Sequence, residues 1–117
     1  MNKTGREAED LAAAHIVRHG FKIIARNVRI GSFGEIDIVA EKNKVLCIFE
    51  VKALSRSDTF KAHHHFTEKK KQKVLRLAQH IGNTYNHNEG EIAVYLLTID
   101  NLADEPIFQI FPIFLSS

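Results

Sequence analysis

The stretch GEIDIVAEKNKVLCIFEVK, residues 34–52, decides how this chain is read. It holds two apolar runs with a polar interval between them, the pattern of two strands joined by a turn. GEIDIVA (34–40) and VLCIFEVK (45–52) are the strands, and EKNK (41–44) is the turn. Both strands carry charge where a buried strand should have none: Glu35 and Asp37 in one, Glu50 and Lys52 in the other. Side chains alternate along a strand, so Glu35, Asp37 and Val39 share one face, and Leu46, Ile48, Glu50 and Lys52 share a face of the next. A tight hairpin through 41–44 pairs residues whose numbers sum to 85, opposing Glu35 to Glu50 and Asp37 to Ile48. Any register with an odd sum keeps Asp37, Glu50 and Lys52 on a common face.

Direct and diagonal cross-strand neighbours lie roughly 5–8 Å apart, within reach of one shared cation. Two carboxylates opposed in a partly buried sheet repel and lose hydration, and Lys52 offsets only part of that cost. A divalent cation would remove it, and carboxylate oxygens, phosphate and water are the ligands that magnesium prefers. A lysine two residues beyond a metal carboxylate then orients or polarises an attacking water, or stabilises charge on a phosphate. The chemistry implied is phosphodiester hydrolysis assisted by Mg2+ or Mn2+. The competing reading is a cross-strand ion pair near the strand ends, since perturbed carboxylates are often structural.

Outward from this hairpin the chain reads as one domain, residues 1–117. Residues 4–19 form a helix, with Thr4 as N-cap, Glu7 at the capping-box spacing, Gly20 as the stop, and an apolar stripe of Ala8, Leu11, Ala12 and Ile16. FKIIARNVRI (21–30) is a strand and GSFG a turn. A second helix spans residues 67–85 on Val74, Leu77, Ala78, Ile81 and Tyr85, and two strands follow at 91–100 and 106–115. The order α-β-β-β-α-β-β predicts an α/β fold, a mixed central sheet flanked by helices.

The 117 residues include 44% hydrophobic and 26% charged, which suits a folded core and argues against disorder. With Cys47 as the single cysteine, neither an intrachain disulfide nor a cysteine-based zinc site is available, and a cytoplasmic location is expected. The polar N-terminal segment lacks the apolar core of a signal peptide, and no run approaches a membrane span. A net charge of +2 is compatible with nucleic acid without requiring it.

In this order, GEIDIVA, a hairpin and FEVK resemble the PD-(D/E)XK nuclease superfamily with its restriction-endonuclease-like fold. The likeness is nearest to the YraN-like branch, endonuclease-like proteins akin to Holliday junction resolvases. Further matches are Gly5, Glu9 and Ala12 in GREAEDLA, then Gly20, the Arg26-Asn27 pair, and Lys71-Gln72 opening the second helix. The resemblance extends over residues 5–81. It implies Asp37 and Glu50 as metal ligands, Lys52 as the catalytic lysine, and Glu9 as a helix acid binding metal directly or through water. Glu35 belongs to the motif in a supporting role. Lys71 would face the cleft, and its place about 60° from the centre of the apolar stripe agrees. The branch continues EVK with Thr-Arg, where this chain has Ala53-Leu54, and Arg56 would have to substitute. The Phe-Gly of the following loop is Phe60-Lys61, and an Arg-Phe-Asp near the fourth strand has become Glu91-Ile92-Ala93.

Lys69, Lys73 and Arg76 fall opposite the apolar stripe of the second helix, with Lys70 beside it, and such a face tracks phosphates or is merely solvated. With Arg26, Arg29 and Arg56, Lys69, Lys70 and Lys73 are the candidate nucleic-acid contacts. In AHHHF (62–66) three successive histidines point apart, which disfavours a zinc site. The closing IFQIFPIFL calls either for burial or for a homodimer contact through that strand. The expected function is a metal-dependent endonuclease acting on branched or structured DNA in repair or recombination. The alternative is a nucleic-acid-binding module of the same fold that does not cut.

Overall fold

In the computed structural model, residues 3–32, 34–54, 68–84 and 91–115 are described. The elements run α1 (Lys3–Arg18), β1 (Lys22–Ile30), β2 (Gly34–Lys42), β3 (Val45–Ala53), α2 (Glu68–Thr84), β4 (Glu91–Asp100) and β5 (Ile107–Leu115). The order α-β-β-β-α-β-β and the mixed sheet agree with the sequence reading. The sheet is ordered β1-β2-β3-β4-β5, antiparallel except for the parallel β3–β4 pair. A parallel pair needs a crossover, and α2 provides it.

Each face of the sheet is covered by one helix. Under α1, Ala8, Ala12, Ala13 and Ile16 pack on Ile38, Ala40, Cys47, Phe49, Ala93, Leu97 and Ile99. Under α2, Val74, Leu77, Ala78 and Ile81 pack on Ile36, Val39, Leu46, Ile48 and Val94. Phe49 is fully buried, edge-on to Phe21 and stacked on Tyr95. The single thiol, Cys47, is buried, which pushes its pKa up to about 11.

α1 begins at Lys3, so Thr4 lies inside the helix and is not its N-cap. The helix stops as expected. Gly20 has φ +91°, Phe21 N–H donates to the Ile16 carbonyl and Gly20 N–H to that of Val17, the paired bonds of a glycine-terminated helix.

The hairpin register differs from the sequence expectation. Ile38 pairs with Phe49, Val39 with Ile48, Ala40 with Cys47, and Lys42 with Val45, so partner numbers sum to 87. Only Asn43 and Lys44 form the turn, both with positive φ (52° and 66°), the conformation of a two-residue turn matched to strand twist. Glu41 and Lys42, expected in the turn, are instead paired. The odd sum survives, so the parity argument holds, but continuing the ladder would oppose Asp37 to Glu50 and Glu35 to Lys52.

That ladder does not continue. Beyond Ile38 and Phe49 the two strands part company. Ile36, Glu35 and Gly34 pair only with β1, at Val28, Arg29 and Ile30, while residues 50–53 pair with 96–99 of β4. The sheet is forked at the point where its charges begin.

β5 is an edge strand. Phe108 joins the α1-side core, and Ile113 packs against the α2-side core. Ile107 (55% exposed) and Ile110 (36%) remain open, so the burial expected of the closing segment is partial.

Candidate active site

At the fork, backbone pairing gives way to side-chain chemistry. Val51 N–H, which would otherwise continue a ladder, donates to Asp37 Oδ2 at 2.8 Å. Asp37 is thereby held against β3. Burial is the main reason its pKa rises to about 6, opposed by that hydrogen bond and assisted by the charges of Glu9 and Glu35. Glu50 is raised further, to about 8, again chiefly by burial and then by repulsion from Asp37, Glu35 and Glu9. Its Oε1 is buried with no hydrogen-bond partner among the described residues. Buried polar atoms are normally satisfied, so this oxygen marks a place built for something else.

Glu50 opens into a cleft of about 300 Å3 under α2. Glu35, Lys52 and Lys73 supply the rest of its charged lining, and Val51, Val74, Leu77 and Leu96 its apolar part. Glu35 also lines a neighbouring cleft of about 230 Å3 with Arg6, Glu9, Arg26 and Asn27. Asn27 stands in the left-handed region at φ 53° within β1.

The sequence candidates meet this geometry unevenly. Asp37, Glu50, Lys52 and Glu35 gather at the fork. Glu9 sits on α1 at 2% exposure, where Arg26 Nε reaches Oε1 at 3.3 Å while Arg26 Nη2 bonds Asp10 at 2.6 Å. Arg26, expected to meet nucleic acid, is therefore occupied in holding Glu9 and Asp10. Arg29 is exposed and lies 3.8 Å from Glu35. Lys69 is exposed on α2. The side chains of Lys70 and Lys71, the whole of Arg56, Phe60-Lys61 and the AHHHF run lie outside the described residues. Among the described residues, no group of three His, Cys, Asp or Glu side chains is placed to hold a metal ion.

Lys73 needs correction. Expected on the outer face of α2, it lines the cleft, and among the described residues it is the cation that opposes the upward shift of Glu50. The expectation had given that part to Lys52. The helical wheel held the signal, since Lys73 lies one turn before Leu77 and about 90° from the stripe centre, at its border. Arg6, which lines the cleft beside Glu9, was missed altogether, with nothing to mark it as a lone arginine in a first helix.

A model of the family described as "Uncharacterised protein family UPF0102" matches residues 8–97, which takes in most of α1, β1, the forked hairpin, α2 and most of β4. A UPF0102 protein of Dechloromonas aromatica is 43% identical over 76 residues, 65% of this chain and 62% of that protein. One from Chlorobium phaeobacteroides is 36% identical over 75 residues, 64% of this chain and 58% of that protein. One from Kosmotoga olearia reaches 54% over 50 residues, 43% of each chain. The matched part of the chain thus spans about three fifths or less of the length of these relatives. No described helix is long and apolar enough to cross a membrane.

Proposed function

The chain belongs to the uncharacterised protein family UPF0102, and we propose that this member is a metal-dependent endonuclease that hydrolyses phosphodiester bonds in branched or structured DNA. The observation that carries the proposal is the buried Glu50 oxygen, without a hydrogen-bond partner among the described residues, beside Asp37 in a cleft that also presents Lys52 and Lys73. A purely structural ion pair would have satisfied that oxygen.

The residues fit a divalent cation. Magnesium is commonly bound by one or two carboxylates, with water and substrate phosphate completing the shell, so a third acid is not needed. Asp37 and Glu50 would hold it, and Glu9, kept in place by Arg26, would add negative charge from the α1 side. When bound, such an ion lowers the pKa of water and polarises a phosphoryl oxygen. Asp37 is oriented for this by Val51 N–H. Lys52, two residues past Glu50 on a rigid strand, would orient the attacking water or stabilise charge on the phosphate.

Cleavage of linear duplex, single-stranded, flap and four-way-junction DNA with Mg2+ or Mn2+ tests the proposal. The wild-type chain is expected to cut at least one substrate. Asp37→Asn should reduce cutting to background, and Lys52→Ala should lower it by about 10²–10³-fold with unchanged melting temperature. Equal cutting by all three proteins would mean a contaminant and end the assignment. Binding without cutting would favour a second reading, a nucleic-acid-binding module on the same fold. The replacement of the branch's Thr-Arg by Ala53-Leu54 and the engagement of Glu9 by Arg26 speak for that reading.

A further inference from the structure

Three charged elements meet at the cleft, and only two of them belong to the hairpin. The third is Lys73 of α2. Its aliphatic chain crosses β2 at Gly34, where a Cβ would stand 2.8 Å from Lys73 Cε and 3.2 Å from Nζ. Gly34 also holds φ +139°, a conformation that side chains rarely adopt. A glycine at this point therefore does two things. It lets the backbone enter β2, and it leaves room for a lysine to pass. The ammonium beyond it shares the cleft with Glu50 and Lys52.

A salt bridge to Glu50 would be the simplest reason for this lysine, but Lys73 does not satisfy the buried oxygen: Glu50 Oε1 has no hydrogen-bond partner among the described residues. Lys73 is also exposed, so its charge remains available to a ligand. Two separate cations beside two carboxylates suit a phosphate that arrives with its own counter-ion. A cation on each side of the phosphate also compensates for Ala53-Leu54, which offer no charge past Lys52.

We propose that Lys73 is a phosphate-binding residue of this site, contacting a backbone phosphate of the nucleic acid from the α2 side, and that Gly34 is the gap that admits it. The proposal deepens the nuclease reading and rests on its cleft. It is specific to one lysine in a helix that carries several.

The test uses the full chain and a labelled four-way junction. Dissociation constants are measured without divalent metal at several salt concentrations, and cleavage is measured separately with Mg2+ or Mn2+. Lys73→Gln is expected to weaken binding about tenfold in low salt and to reduce the slope of log K against log salt by about 0.9. Lys73→Arg should restore both. Lys22→Gln, a charge-matched change on exposed β1, should alter neither. A structural role would lower the melting temperature without moving the salt slope. If Lys73→Gln matches wild type in affinity and slope, the proposal is overturned, whether or not the protein cuts DNA. If binding depends on Lys73 but nothing is cut, the phosphate contact stands and the nuclease reading falls. If wild type binds no nucleic acid at any salt, both fall.

Discussion

The two halves of one hairpin have opposite characters. From Ile38–Phe49 to the Asn43–Lys44 turn, β2 and β3 are paired residue for residue, and Ile38, Val39, Ala40, Leu46, Ile48 and Phe49 are fully buried. Past Ile38 and Phe49 the same strands separate, burial becomes partial except at Ile36, and Glu35, Asp37, Glu50 and Lys52 appear. The closed half is where hydrophobic burial and ladder hydrogen bonds stabilise the fold. The open half gives up the ladder between β2 and β3, leaving two carboxylates above their ordinary pKa and one oxygen without a hydrogen-bond partner among the described residues. Stability and chemistry are thus divided along a single pair of strands, and the rigid half positions the reactive one.

The contrast can be broken most severely from the closed side. Phe49→Ala removes a fully buried ring that touches Phe21 and Tyr95, and it should cost about 3–5 kcal/mol in urea or guanidinium unfolding. A loss below about 1 kcal/mol would show that the closed half does not support the fold as described.

On the open side the effect should be smaller and depend on pH. Glu50 titrates near 4.5 when unfolded and about 8 when folded, so the folded protein retains a proton the unfolded chain has lost. Stability should therefore be fullest below pH 4.5 as far as this group is concerned, fall between 4.5 and 8, and level off above. Solvent reaches the side chain, which reduces the cost to on the order of 2 kcal/mol. Glu50→Gln should flatten that decline and be more stable than wild type at pH 8.5 without metal. Asp37, shifted to about 6, would retain its own smaller decline between 3.8 and 6. Equal slopes in wild type and variant would show that Glu50 is not held in a costly state.

The smallest effect lies at the turn that closes the hairpin. Lys44 holds φ 66°, where a side chain is disfavoured, so Lys44→Gly should stabilise by roughly 0.5–1 kcal/mol. A destabilised variant would mean that the strain is compensated by contacts of the lysine.

Much of the fold was legible because apolar periodicity and turn residues agree along most of the chain. The strands around Ile38 and Ile48, the stripe of α2 and the glycine stop of α1 all follow from spacing alone. The register was misplaced by two because Asn43-Lys44 lacks the glycine that announces such a turn, and Glu41 and Lys42 look like turn residues although they pair. Parity tolerated that error: Glu50 and Lys52 line one cleft, and Asp37 is held next to them by Val51 N–H rather than by the ladder. Glu9 became visible only through resemblance, since one acid in a helix carries no periodic signal. Lys73 was assigned to the wrong face because a border position on a helix is decided by what the neighbouring strand leaves open, here Gly34.

The ladders also differ in how much irregularity they accept. The outer two, β1–β2 and β4–β5, each contain a register shift, at Ile23/Ala25 and at Val94/Tyr95. The parallel β3–β4 ladder has none: nine successive pairs, from Val45–Glu91 to Ala53–Ile99, keep one constant offset. A slip of one residue there would carry Glu50 and Lys52 away from the positions at which they line the cleft. The irregularities thus lie in the outer ladders, and the ladder that carries Glu50 and Lys52 is unbroken. The strand that aims the charged side chains is therefore the one whose register is most completely fixed, since a single offset governs its whole length against β4.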